Sequence, residues 1–246
     1  MSDQRLSEAE REDALERAMF PRLPQFEIDI AKTALLIIDM QYLDAHTDYG
    51  LGLKAQQNGA FDLLSEYWEE LEAIVPRQQK LLETCRRTGM EVIHVCISPN
   101  TQDARDCPVV TRMRKLRPPK GTRETEILDE VKPQGDEMTL TKITSSAFLS
   151  TSLDLVLHNM GIDTLIVAGV ITNGCVESTV RDGRDLGYKV IVVGDACATW
   201  TRAMHDRALR FMAGSFGNVR NTDDLLAEID AKAAVSAGRP EVGSAW

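Results

Sequence analysis

TLIVAGVITNGCVESTVRDG, residues 164–183, is the stretch on which the fold turns. Residues 164–170 are apolar or β-branched on both alternating faces, the pattern of a parallel strand buried between two layers. A short polar turn follows. From Cys175 to Leu186 the pattern becomes helical, and Gly187 stands where such a helix must end. A buried strand that runs straight into a helix is the repeating unit of a parallel sheet flanked by helices.

The same rhythm extends in both directions. Strands are expected at 34–38, 91–97, 137–141, 164–170 and 189–193, with a weaker sixth at 217–220. Helices are expected at 63–88, 152–160, 175–186, 202–212 and 223–232, and Gly89 and Gly161 mark two of their ends. The fold class is therefore α/β with a mostly parallel sheet. Residues 47–59 and 99–121 break the rhythm, and the second carries Arg112, Arg114, Lys115, Arg117 and Lys120 between prolines. Ahead of the first strand, Ser7 and Glu10 have capping-box spacing at the start of a charged helix that Pro21 and Pro24 would stop. The expected organisation is an N-terminal helical extension (1–24), one α/β domain (25–232) and a solvated tail (233–246).

Hydrophobic residues at 43% and charged residues at 27% are ordinary for a globular chain, so a sizeable core is expected. A net charge of -10 works against phosphate backbones and anionic membranes, so neither nucleic acid nor membrane is an expected partner. Five widely spaced cysteines without a Cys-x-x-Cys pair suit a reducing compartment, and a cytoplasmic location is expected. No run approaches the roughly 18 apolar residues of a membrane span.

Ligands of open α/β sheets bind at the carboxyl ends of the strands. Three chemically distinctive residues fall there: Asp39 after LLII, Lys142 after MTLT, and Cys175 after the strand and turn quoted above. A thiol at a helix N-terminus beside a lysine is expected to have a lowered pKa. Asp39 can relay its proton, and the turn at 170–174 can aim backbone amides at an oxyanion. Cys85, Cys96, Cys107 and Cys197 read as buried structural residues.

Together TALLIIDMQ, the lysine of LTKITSSAF and GVITNGCVESTVRDG resemble the isochorismatase-like cysteine hydrolases, over about 33–224. The resemblance implies a three-layer α/β/α Rossmann-like fold with about six strands. It also implies an Asp39-Lys142-Cys175 triad, a cis bond between Val170 and Ile171, and an oxyanion hole made by the amides of Ile171 and Cys175. Homodimers or homotetramers are common among such proteins. Nicotinamidases of the family carry an Asp-x-His metal motif after the second strand, where this chain reads ISPNTQDARD. No metal or other cofactor is therefore expected.

CVESTVRDG and DACAT look most like the ureide and carbamoyl branch, so the expected substrate is a small linear amide or ureide. Vinyl ether hydrolysis of the isochorismatase type and a catalytically silent metabolite-binding homologue are the alternatives. Gln41 and Ser145 are candidate substrate contacts beside the triad, and Arg112 and Arg117 are candidates to meet a substrate carboxylate.

Overall fold

All six residues of β1 (Thr33–Ile38) and all seven of β4 (Thr164–Val170) are buried. Along β1 the side chains divide between two apolar clusters, Leu35 and Ile37 on one face and Ala34, Leu36 and Ile38 on the other. Strands covered on both faces belong in the middle layer of three. The computed structural model describes residues 7–19, 23–115 and 117–237. It adds β2 (Glu91–Ile97), β3 (Met138–Lys142), β5 (Lys189–Ala198) and β6 (Asn218–Arg220). These six strands form one sheet in the order β3-β2-β1-β4-β5-β6, and each neighbouring pair is parallel.

One face is covered by α3 (Ser65–Thr88), which contributes Tyr67, Leu71, Ile74 and Leu81, and by α8 (Thr222–Ala237), which contributes Leu225 and Ile229. The other is covered by α5 (Leu153–Asn159), α6 (Glu177–Asp185) and α7 (Arg202–Ser215) through Leu153, Leu157, Val180, Ala208 and Met212. The three-layer α/β/α expectation holds.

Local differences from the sequence reading have identifiable causes. The 47–59 stretch contains α2 (Gly50–Gln57), whose mixed composition hides a helix that packs Gly52 and Ala55 inward. A single short helix, α4 (Val109–Met113), interrupts 99–121. Strand β5 runs on to Ala198 because a register shift opposite residues 167–169 lets the ladder with β4 resume at Cys197. Helix α8 continues to Ala237, past the point where a tail was expected, and 238–246 lie outside the described residues. The leading helix, α1 (Glu8–Met19), has the expected cap: Ser7 N donates to Glu10 Oε2 at 2.8 Å, and Glu10 N returns a bond to Ser7 Oγ at 3.3 Å. Pro21, expected to stop it, falls outside the described residues.

Two features set up the ends of the strands. Gly169 has φ +131, and a Cβ there would lie 2.1 Å from the Ile38 carbonyl oxygen, so only glycine lets β4 press this closely against the end of β1. At the sheet edge, Glu137 ties β3 to its neighbours. Arg86 donates to it twice, at 2.6 and 2.9 Å, Gln134 N donates at 2.9 Å, and His94 Nε2 lies 3.1 Å away. Burial alone would raise the Glu137 pKa, but these donors override it and hold the carboxyl at about 2. Burial also keeps His94 below its ordinary range, so it meets Glu137 as a neutral donor.

A carboxyl with a depressed folded pKa adds stability above its unfolded pKa, and that contribution is lost as pH falls through the folded value. Glu137→Gln should therefore cost about 2 kcal/mol at neutral pH, the scale of hydrogen bonds to a charged group. The deficit should shrink as pH falls from about 4.5 toward about 2, as urea unfolding across that window would measure.

Candidate active site

The order β3-β2-β1-β4-β5-β6 reverses direction between β1 and β4, and that switch point is where open α/β sheets form a crevice. Asp39 leaves β1 on one side of it and Cys175 follows β4 on the other. Asp39 has φ 51, a left-handed conformation that Asp tolerates better than most residues and that is common where a strand end is bent to aim a side chain.

Lys142 arrives from further away. It is the last residue of β3, with β2 between it and β1, a lateral gap of about 10 Å at normal strand spacing. A long side chain closes that gap. The lysine is fully buried, and its ammonium lies 2.7 Å from Asp39 Oδ2, 3.3 Å from Cys175 Sγ and 3.1 Å from the Thr144 carbonyl oxygen. Three donors meet three acceptors, so the ammonium is satisfied without water. Asp39 Oδ1, by contrast, is buried with no hydrogen-bond partner. The three sequence-predicted residues therefore meet at one place.

Cys175 sits differently from expectation. It lies inside a π-type turn, Thr172–Val176, that precedes α6, and it is half-buried rather than capping a regular helix. Burial pushes its thiol pKa up, the Asp39 charge adds to the rise, and Lys142 opposes it. The expected lowering fails because Asp39 has already neutralised the ammonium, so the sulfur faces a nearly neutral ion pair in a poorly hydrated site. That environment favours the protonated thiol of Cys175. Cys85, Cys96, Cys107 and Cys197 are free and buried, as their sequence contexts suggested.

The peptide between Val170 and Ile171 is cis. Ile171 and Cys175, whose amides the resemblance assigns to an oxyanion hole, bracket the turn, while the Gly174 amide is spent on the Ile171 carbonyl at 2.9 Å. Two contacts absent from the sequence reading hold this turn. Thr172 Oγ1 lies 2.8 Å from His205 Nδ1, and Thr199 Oγ1 donates to Asn173 Oδ1 at 2.7 Å. The signal available for His205 was its position in a helix that follows a strand end at the same edge of the sheet.

Gln41 does not offer its amide to a ligand. It is fully buried, Oε1 accepts from Ile97 N at 2.7 Å, and Nε2 donates to the carbonyls of Ile97 and Thr125 at 3.2 and 2.8 Å. The side chain thus fastens the end of β1 to the end of β2 and to the 123–127 segment. Ser145 is exposed on the loop after Lys142. In the basic loop Arg112 is exposed, whereas Arg117 is half-buried within electrostatic reach of Asp44. Burial and the nearby Asp39 charge push Asp44 up to about 6, against the pull of Arg117 and Lys142. Among the described residues no group of three His, Cys, Asp or Glu side chains is placed to hold a metal ion.

Residues 33–224 match the model of the isochorismatase domain. The ureidoacrylate amidohydrolase RutB of Acinetobacter baylyi is 28% identical over 212 residues, covering 79% of this chain and 82% of the relative. A cysteine hydrolase from Pseudomonas syringae pv. phaseolicola superposes with a TM-score of 0.73 at 26% identity, covering 87% of this chain and 99% of that one. An N-carbamoylsarcosine amidase from Thermoplasma acidophilum gives 0.60 at 26%, covering 78% and 97%. With residues 33–224 of its 246 matched by the family model and its fold shared with these solved structures, the chain belongs to the isochorismatase-like hydrolase family.

Proposed function

We propose that this chain is a cysteine amidohydrolase that cleaves a carbon–nitrogen bond of a small linear amide or ureide through a covalent intermediate on Cys175. The observation that carries the reading is the Lys142 ammonium held 2.7 Å from Asp39 and 3.3 Å from the Cys175 sulfur, with the second Asp39 oxygen buried and unpartnered. The similarity to RutB and to N-carbamoylsarcosine amidase, both acting on amide or ureide bonds by name, supports the substrate class.

The chemistry follows from the resting thiol. As sulfur attacks the carbonyl carbon, Asp39 Oδ1 takes the thiol proton and the carbonyl π electrons move onto oxygen. Backbone amides of Ile171 and Cys175 receive that charge, the largest single stabilising contribution in reactions of this type. Collapse re-forms the carbonyl and breaks the C–N bond, and Asp39 returns the proton to the departing nitrogen. Water then adds to the thioester or thiocarbamate with its proton again taken by Asp39, and the proton is handed to sulfur as it leaves. Lys142 pairs with Asp39 between these transfers and orients it toward the sulfur. The nucleophile is a side chain, so the attack calls for no metal-bound water.

Asp44 lies within electrostatic reach of Asp39 and Lys142, and Arg117 within reach of Asp44, one acceptor and one donor suited to the NH and carbonyl or carboxylate groups at the far end of such a substrate.

Ammonia release from ureidoacrylate, N-carbamoyl amino acids, biuret and maleamate tests the reading, with isochorismate as the ether control. Cys175→Ala should lower turnover by at least about 10³-fold, the usual scale for loss of a nucleophile. A slow substrate should leave a mass adduct on Cys175. Pyruvate from isochorismate without ammonia from any amide would overturn the proposal.

A carboxyl whose folded pKa is raised costs stability when ionised, and the cost is relieved as pH falls through the folded value toward the unfolded one. Asp44→Asn should therefore stabilise the protein by about 2 kcal/mol at pH 7, allowing for partial solvent screening. The gain should fade as pH drops from about 6 toward about 4, while the Michaelis constant of the accepted substrate rises.

A further inference from the structure

The turn that carries the nucleophile is held at its base by a side chain outside the triad. Thr172 is fully buried, and its hydroxyl has one partner, His205 Nδ1, at 2.8 Å. His205 stands in the first turn of α7, fixed by its own amide bond to the Thr201 carbonyl at 3.0 Å. The ring also stands close to the Gly194 backbone on β5. Burial keeps the imidazole below its ordinary range, so at neutral pH it is uncharged. In the tautomer with its proton on Nε2, Nδ1 carries the lone pair and accepts the Thr172 proton. The histidine thus ties α7 to the residue directly after Ile171.

We propose that His205 is a positioning residue for the oxyanion-binding turn, acting through Thr172. The inference rests on the amidohydrolase reading, in which the amides of Ile171 and Cys175 receive the developing charge. Thr172 is the second residue of the path Ile171–Cys175, and a buried hydroxyl held by His205 removes the main freedom by which that path can tilt. Asn173, the next residue, is exposed and held by Thr199 at 2.7 Å. The turn is therefore clamped from β5 and α7 on consecutive residues. A tilt of under an ångström at an oxyanion donor lowers the chemical rate and leaves ground-state binding almost untouched, because the charge exists only in the transition state.

The experiment follows acylation of Cys175 by 4-nitrophenyl acetate as a burst of nitrophenolate, which needs the oxyanion donors. Its partner is alkylation of Cys175 by iodoacetamide, read by mass spectrometry, which does not need them. His205→Leu and Thr172→Val should each slow the acylation burst by about 10- to 100-fold, below the 10²- to 10³-fold cost of deleting a donor outright. Alkylation should stay within about twofold of the parent protein. His205→Asn, whose side-chain oxygen can stand where Nδ1 stood, should recover most of the burst rate, and the double variant should be no slower than either single one. On an amide substrate the same variants should lower kcat with the Michaelis constant unmoved.

Parent-like acylation in folded His205→Leu and Thr172→Val proteins would overturn the proposal, as would equal losses in the leucine and asparagine variants. Acylation and alkylation falling together would also overturn it, because that pattern reports a displaced sulfur. A burst that survives Cys175→Ala would instead remove the nucleophile reading beneath it.

Discussion

The Lys142 ammonium has left water entirely, and only the Asp39 carboxylate, the Thr144 carbonyl and the Cys175 sulfur stand where its hydration shell was. Desolvating two such ions costs several kcal/mol each, and a buried pair rarely recovers more than it loses. Stability is a poor reason to keep it. In the mechanism proposed above, what the pair supplies is a carboxylate aimed at the sulfur with one oxygen left for a proton. The surrounding structure reads as the support this arrangement requires: glycine at 169 to bring β4 against β1, Gln41 to lock the strand ends, and a turn that holds half-buried Cys175 between buried Thr172 and Val176.

Much of this was legible in the sequence because parallel sheets write their ends plainly. Apolar runs such as 34–38 and 164–170 cannot be surface strands, and the polar residue that follows each must face the crevice, so Asp39 and Cys175 could be placed before any coordinates. Lys142 was harder. Strand β3 alternates half-buried and exposed residues, as an edge strand does, and nothing in that pattern distinguishes a lysine turned inward from one in solvent.

Properties that depend on neighbours distant in the chain were not legible. The thiol's pKa depends on whether Lys142 has its charge to spare, and Asp39, 103 residues away, has already taken it. Gln41 follows Asp39 on the same strand end and so looked like a ligand contact, but its amide was claimed by backbone groups of Ile97 and Thr125. Thr172 and His205, 33 residues apart, pair only because β5 and α7 return to the same corner. Helix α2 was hidden for a different reason: Gly50 and Gly52 disfavour a helix that its Leu, Lys, Ala and Gln residues favour, so the local pattern is mixed.

The lysine sits on the outermost strand, five residues long and paired on one side alone, with Glu137 moored to Arg86 just ahead of it. Edge segments of this kind open before the centre of a sheet does. Peeling back β3 would withdraw the cation from its two partners while β1, β4 and the cysteine stayed folded. The three-residue cluster would then come apart at one edge of the sheet while its other two members kept their places.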